Sequence, residues 1–380
     1  MREGGAMKLQ AGAWDRLLRV LVPLVILAGI ILAAGTLEKE PMGPDTASVY
    51  VQATVTQVLE DHTGGEPFVG VQRVEATITS GQFAGRSCEL ENANSYQTGA
   101  LCQEGTRVIA YVRQDAEGQI RGAVYNYDRT GMVYLLIGLF AVILLLIGGK
   151  KGAAALYALV FTFACVLCVY IPLLYIGTNG ILAATVTAVL ILAVSIYIIN
   201  GWSVKSLCAV IGTTVGVMIS GVIAMAVGGA ASLSGYNSDY VEALLGMDAR
   251  IDIGGLLYAG VLISSLGAVM DVSVSIVAAM QEIREKAPYL KTGELFASGM
   301  RVGHDMMGTM SNTLILAYAG SATSVLLYTF GMPYLKIMGD NDIMIEILSG
   351  LCGTIGVILT VPIQAGITAL VLQPKEKKKR

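Results

Sequence analysis

Apolar runs close to twenty residues long recur along this chain, and each is long enough to cross about 30 Å of hydrocarbon as a helix. Eight such runs can be read: Leu17–Gly35, Met132–Gly148, Ala153–Tyr175, Ile181–Ile199, Leu207–Gly229, Ile253–Met280, Gly303–Tyr328 and Ile345–Leu372. In lipid every backbone N–H and C=O needs a partner within the protein, so repeated runs of this length predict a helical bundle. A content of 54% hydrophobic and 14% charged residues lies far from that of a soluble domain and agrees. The expected fold class is an all-α polytopic membrane bundle of about eight transmembrane helices with a small extracytoplasmic β domain.

Lys and Arg set the orientation. They gather in the amino-terminal arm, at Lys150 and Lys151, at Lys205, in the Glu282–Arg301 loop and in the KEKKKR tail, whereas Arg250 and Lys336 alone occupy the opposite short loops. The positive-inside rule then places both termini in the cytoplasm. The expected organisation is an arm over 1–16, an uncleaved anchor over 17–35, an extracytoplasmic domain over 36–130, seven helices over 131–372 and a basic tail over 373–380. The first run is too apolar and too long for the core of a cleaved signal peptide.

Inside the exported segment, Val51–Thr56 and Val74–Thr79 alternate apolar and polar residues, and strand-like runs follow near Arg86–Glu91, Arg107–Arg113 and Gln119–Tyr125. Five short strands suggest an OB-like barrel or a sandwich. Cys88 and Cys102 are the cysteines of this segment. An oxidising compartment would let them form a disulfide worth about 3 kcal/mol, and two unpaired thiols are the alternative. Cys165 and Cys168 stand at CxxC spacing within a span, where packing as small apolar side chains is the simpler reading.

Acidic residues inside the spans carry the functional signal, because a carboxylate at membrane depth normally faces a partner or a water-filled cavity. In span six, Gly260, Ser264, Gly267, Asp271, Ser275, Ala278 and Glu282 recur at three- and four-residue steps and draw one small and polar stripe. In span seven a similar stripe runs through Asp305, Gly308, Thr309, Asn312, Ala319 and Thr323, with His304 beside its first member. Span eight adds Glu346, Gly350, Gly353, Thr360 and Gln364. At a rise of about 1.5 Å per residue, Asp271 and Asn312 both lie roughly 14 Å from the cytoplasmic ends of their helices, close to the depth of Gln364.

The expected solute or ion pathway is therefore Asp271, Ser275, Glu282, His304, Asp305, Thr309, Asn312 and Gln364. A purely structural role, with a protonated carboxyl bonded across helices, is the bland alternative. An intramembrane aspartyl hydrolase would need two carboxyls sharing a water, and Asp305 is about 10 Å shallower than Asp271 by helix rise. The chain is accordingly read as a non-enzyme without catalytic residues. There is no GxxxxGK[ST] phosphate loop. With His62 and His304 its two histidines, on opposite sides of the bilayer, no metal site and no cofactor are expected. The outer loop bearing Asp239, Glu242, Asp248 and Asp252 reads as solvated, with a short interfacial helix near Tyr240–Met247.

The segments LGAVMDVSVSIVAAMQEI and RVGHDMMGTMSNTLILAYAGSA, preceded by a β-rich domain ending in YNYDRTG, resemble the YibE/F family of bacterial membrane proteins. The resemblance runs from about Val49 to Leu372. It implies a multi-pass protein of the bacterial inner membrane and carries over no catalytic residues. Taken together, these features predict a secondary-type permease or channel for a cation or small polar solute, with a polar site between spans six, seven and eight. The rival is a non-transporting scaffold whose exported β domain binds an envelope protein. The expected partners are the lipid bilayer, the solute and possible further copies of the chain, with no nucleic acid.

Overall fold

The computed structural model describes residues 3–36, 48–64, 69–95, 98–115, 118–237, 241–246 and 251–372. Asp239, Asp248, Arg250 and the KEKKKR tail, named above, lie outside the described residues. The chain divides into two compact units, one built from residues 39–146 and the other from 1–38 with 147–380.

The first unit contains a closed barrel of five strands: β1 (Val49–Asp61), β2 (Gly70–Ile78), β3 (Ser87–Asn94), β4 (Arg107–Gln114) and β5 (Ile120–Tyr127). Their order around the barrel is β1-β2-β3-β5-β4, closed by the β1–β4 pairing, with β3 and β5 parallel over Glu89–Glu91 and Arg121–Ala123. This is an OB-like barrel rather than a sandwich. Alternation supplies its core: Val51, Ala53, Val55, Val74, Ala76, Ile78, Leu90, Val108, Ala110 and Val112 all point inward. Two buried amides tie the connection between β3 and β4 to the interior. Asn92 Nδ2 donates to Gln72 Oε1 at 2.9 Å and to the Ala100 carbonyl, and Gln72 Oε1 also accepts the Cys102 N–H at 2.9 Å.

Of the two readings for Cys88 and Cys102, the structure has the second: both are buried free thiols. Strand geometry gives the reason. Cys88 Sγ donates to the Ala76 carbonyl at 3.7 Å, whereas Cys102 Sγ accepts from Asn92 Nδ2 at 3.5 Å. Asn92 stands four residues along β3 from Cys88, about 13 Å at the rise of a strand, beyond disulfide reach.

The long helices carry the apolar runs. They are α1 (Glu3–Gly35), α2 (Thr130–Cys165), α4 (Gly180–Asn200), α5 (Val204–Ala230), α7 (Ile253–Lys286), α8 (Thr292–Ser321) and α11 (Asn341–Val371). Short helices α3 (Ile171–Tyr175), α6 (Val241–Leu245), α9 (Thr323–Thr329) and α10 (Tyr334–Met338) lie between them. Among the described residues, six stretches are long and apolar enough to cross a membrane, and the bent pair of α8 and α9 makes a seventh. One of the six, Thr130–Tyr175, has 46 residues, about twice what a bilayer core requires. It breaks at Gly149, whose backbone at φ 52° and ψ −128° is open to glycine, and Lys150 and Lys151 follow directly. Counting its halves separately gives eight spans, in line with the eight apolar runs. A π turn over Val166–Tyr170 precedes Pro172, which lacks the N–H for a regular turn there.

Among the long helices of the second unit, α5, α7 and α11 pack on one another, α4 lies against α5 and α7, and α8 lies along α11 and α7. Small residues permit the closest approach. A Cβ on Gly212 of α5 would strike the Gln364 side chain, one on Gly216 would strike Thr360, and one on Gly356 of α11 would meet Ser220. Ser220 Oγ adds a 2.9 Å hydrogen bond to the Cys352 carbonyl.

Span seven departs from its predicted shape. Its helix begins at Thr292, well before the expected Gly303, and α8 and α9 meet at a bend of 72°. Thr323 therefore leaves the stripe and its hydroxyl bonds back to the Gly320 carbonyl at 2.8 Å. The expected interfacial helix is α6. Asp252 of the same loop is structural, since its carboxylate caps α7 at the Gly255 N–H and accepts the Gly180 N–H of α4.

Candidate functional site

Helix α7 turns its apolar face to the bundle and its polar stripe outward. Leu262, Val269, Val272, Ile276 and Met280 are buried in the core shared with α4, α5 and α11. Gly260, Ser264, Gly267, Asp271, Ala278 and Glu282 are exposed, and Ser275 is half-buried. Within one chain the stripe therefore forms an uncovered face.

Helix α8 borders that face. Tyr318 donates its hydroxyl hydrogen to Ser264 Oγ at 2.6 Å, and its ring lies over Gly350 of α11, within ordinary van der Waals reach of where a Cβ would stand. This pair sets the register of two antiparallel helices. Seven residues along each, about two turns toward the same end, bring Ser311 on α8 level with Asp271 on α7. Farther along, the Met280 side chain packs against Gly299, which holds the two helices in contact there. Ser311 Oγ is buried without a hydrogen-bond partner among the described residues. The Asp271 carboxylate makes no hydrogen bond or ion pair among the described residues.

The predicted residues thus separate into four groups. Asp271 and Ser275 lie along the α7 side of the seam. His304, Asp305, Thr309 and Asn312 are exposed on α8, where Thr309 Oγ1 is bonded back to the Met306 carbonyl at 2.9 Å. Glu282 is held by Lys286 at 2.6 Å, an exposed ion pair on one helix, rather than by His304 or Asp305. Gln364 belongs elsewhere. It is fully buried against α5, donating from Nε2 to the Cys208 carbonyl at 3.1 Å and to Thr368 Oγ1 at 3.0 Å. The expected cluster of Asp271, Asn312 and Gln364 does not form, because Gln364 faces the interior side of α11 and Asp271 the open side of α7.

Two groups at the seam carry no clear signal in the sequence. Ser311 is masked by its neighbour Asn312, which continues the stripe, and only the register of α8 on α7 selects between them. Tyr318 reads as one more apolar residue of its span, although it stands two turns from Ser311 on the same face. Toward the Asn341 end of α11, a cavity of 390 Å³ opens above the Tyr318–Ser264 bond, lined by Gly260, Ser264, Tyr318, Glu346 and Ser349 with an apolar wall of Leu244, Leu256 and Leu257. Glu346 and Tyr318 also border a second cavity of 310 Å³ between α8 and α11. No cluster of three or more His, Cys, Asp or Glu able to hold a metal ion occurs among the described residues.

Chemically, the seam offers a free carboxylate and a free hydroxyl at one depth, hydroxyls on either side of them, and a second carboxylate in the cavity above. That set suits a ligand carrying positive charge or hydrogen-bond donors. Comparison with curated proteins and with solved structures gave no match. A family model described as YibE/F-like protein matches residues 136–374, more than half of the chain and all of the long helices from α4 onward. With its several membrane-length helices, this multi-pass protein belongs to the YibE/F-like family.

Proposed function

We propose that the protein is a secondary-type permease or channel carrying a cation or a small polar solute along the seam of α7, α8 and α11. The observation that carries this reading is Asp271, an unpartnered carboxylate on an open polar face, level with the unpartnered Ser311 hydroxyl. A charged side chain at membrane depth costs several kcal/mol unless water or a ligand reaches it, so the seam is a wet one. The solute enters the cavity at Glu346, passes the Tyr318–Ser264 bond, meets Asp271 and Ser311, and leaves past Thr309, Asp305, His304 and Glu282. The membrane is the bacterial inner membrane and both termini are cytoplasmic, in keeping with the placement of Lys and Arg.

The barrel supports a second reading, a scaffold that binds an envelope protein. It carries a groove of 570 Å³ bordered by Arg73, Arg86 and Arg121 together with Glu89 and Glu91, a charged surface suited to a partner.

Purified protein in liposomes, assayed for uptake of labelled monovalent cations and small amines, tests the first reading. Flux is expected for the natural chain and its loss for Asp271→Asn at unchanged abundance. Absence of flux for every solute, or an Asp271→Asn chain that transports normally, would overturn it. A chain lacking residues 36–129 is expected to keep residual flux under the permease reading and to lose all function under the scaffold one.

A further inference from the structure

Arg284, near the end of α7, is buried at 8% exposure, yet its guanidinium is only half used. Its Nη1 donates to the carbonyls of Pro288 at 3.2 Å and Leu290 at 2.7 Å, which folds the α7–α8 turn back on the helix. Its Nε and Nη2 have no acceptor among the described residues. A buried charged donor without an acceptor is among the costlier features a protein retains, and these two atoms form the edge of the fork that matches two oxygens of one anion.

The surroundings fit such an anion. Arg284 lines a cavity of 630 Å³ together with Gln281, Glu285 and the first turn of α5 at Ser203, Val204 and Lys205. Ser203 caps that turn by accepting the Ser206 N–H at 3.2 Å, and its carbonyl takes the Leu207 N–H. The amides of Val204 and Lys205 are then the donors left at the start of a 27-residue helix, where the dipole favours negative charge. Lys205 has no ion-pair partner among the described residues. The one carboxylate at the cavity, Glu285, already accepts from Gln281 Nε2 at 2.7 Å. Two cations against one anion leave a single positive charge. Trp202, 71% exposed and set against Tyr197 at 5.2 Å between ring centres, is the kind of aromatic that sits at headgroup level.

We propose that this cavity is a phosphate-binding site, holding the phosphate of a lipid headgroup or of a small soluble phosphate between the Arg284 fork, Lys205 and the α5 amino terminus. The site lies apart from the α7–α8 seam and does not depend on the transport reading. Basic pockets between helices at the membrane surface are suited to such ligands.

The test uses the full chain purified in phosphate-free detergent, with its melting temperature followed as ligand is added. One arm receives inorganic phosphate, a second phosphatidylglycerol, and a third diacylglycerol with the same acyl chains. Lys205→Gln, at a partly exposed position, is compared with the natural chain, and Arg284→Lys keeps the charge while removing the fork. Stabilisation by a phosphate-bearing ligand, absent with diacylglycerol and weakened about tenfold in apparent Kd in both variants, is expected. A response to phosphatidylglycerol alone identifies a lipid headgroup, and a response to inorganic phosphate as well identifies a soluble ligand. The proposal is overturned when neither ligand shifts the melting temperature, or when a Lys205→Gln chain that melts normally without ligand responds as the natural chain does.

Discussion

The Tyr318 hydroxyl donates to Ser264 Oγ at 2.6 Å and bridges the two helices whose open polar faces meet along the seam. The bond lies between the Glu346 cavity and the level of Asp271 and Ser311. In the proposed permease it would tie together the edge that a passing solute has to open.

Tyr318→Phe removes that bridge while leaving the ring against Gly350. A single side-chain hydrogen bond between membrane helices is worth about 0.6 kcal/mol on average, so stability is expected to change little. Flux through reconstituted protein is expected to rise, and unchanged flux would show that the bond is no barrier.

A different outcome is expected inside the bundle. Thr213 of α5 and Ser273 of α7 are fully buried and their hydroxyls have no hydrogen-bond partner among the described residues, although Thr214 and Thr360 in the same bundle bond back to their own helices. Replacing an unsatisfied hydroxyl by an apolar group of similar shape removes a desolvation cost, so Thr213→Val and Ser273→Ala are expected to be neutral or stabilising by about 1 kcal/mol. Gly212→Ala, which drives a methyl into Gln364, is expected to cost about 1–3 kcal/mol. Thermal unfolding in detergent measures all three.

Burial pushes the thiols of Cys88 and Cys102 up to about 11 each, Cys88 with a smaller contribution from Glu75. Thiolate is then scarce at neutral pH, and thiolate is the reactive form. Iodoacetamide at pH 8 is expected to leave both unmodified in the native barrel and to label both after denaturation, with or without prior reductant. A requirement for reductant would reveal the disulfide that the barrel geometry forbids.

Two carboxylates tie the barrel to pH. Hydrogen bonds from the Thr63 side chain and backbone hold Asp61 below the ordinary carboxylate value of 3.8, and those from Thr130 do the same for Asp128. A lowered native pKa means that the unfolded state takes up protons first as pH falls. The stabilisation is therefore complete above the ordinary carboxylate range and fades as pH drops through the lower native values. Asp61→Asn and Asp128→Asn are each expected to reduce this loss as the pH falls below the ordinary carboxylate range, read as the melting temperature of the barrel transition.

Much of the fold was legible because its signals are local. Apolar runs of membrane length marked the spans, and period-two alternation marked the strands. The break at Gly149 was visible as a Gly-Gly-Lys-Lys interruption of two such runs. The bend at Ala322 was not, since Ser321, Ala322 and Thr323 are compatible with a straight helix.

The candidate site shows where that legibility stops. By itself the sequence placed Asp271 at membrane depth on a polar stripe, because helical periodicity depends on spacing alone. Tertiary structure decided which way the stripe faces, that Gln364 turns to α5, that the Ser311 hydroxyl is buried on α8 where Asn312 is exposed, and that Arg284 keeps half of its fork unused. Those outcomes depend on the relative rotation and register of helices far apart in the chain, which close packing at Gly212, Gly216 and Gly356 sets and no single helix encodes.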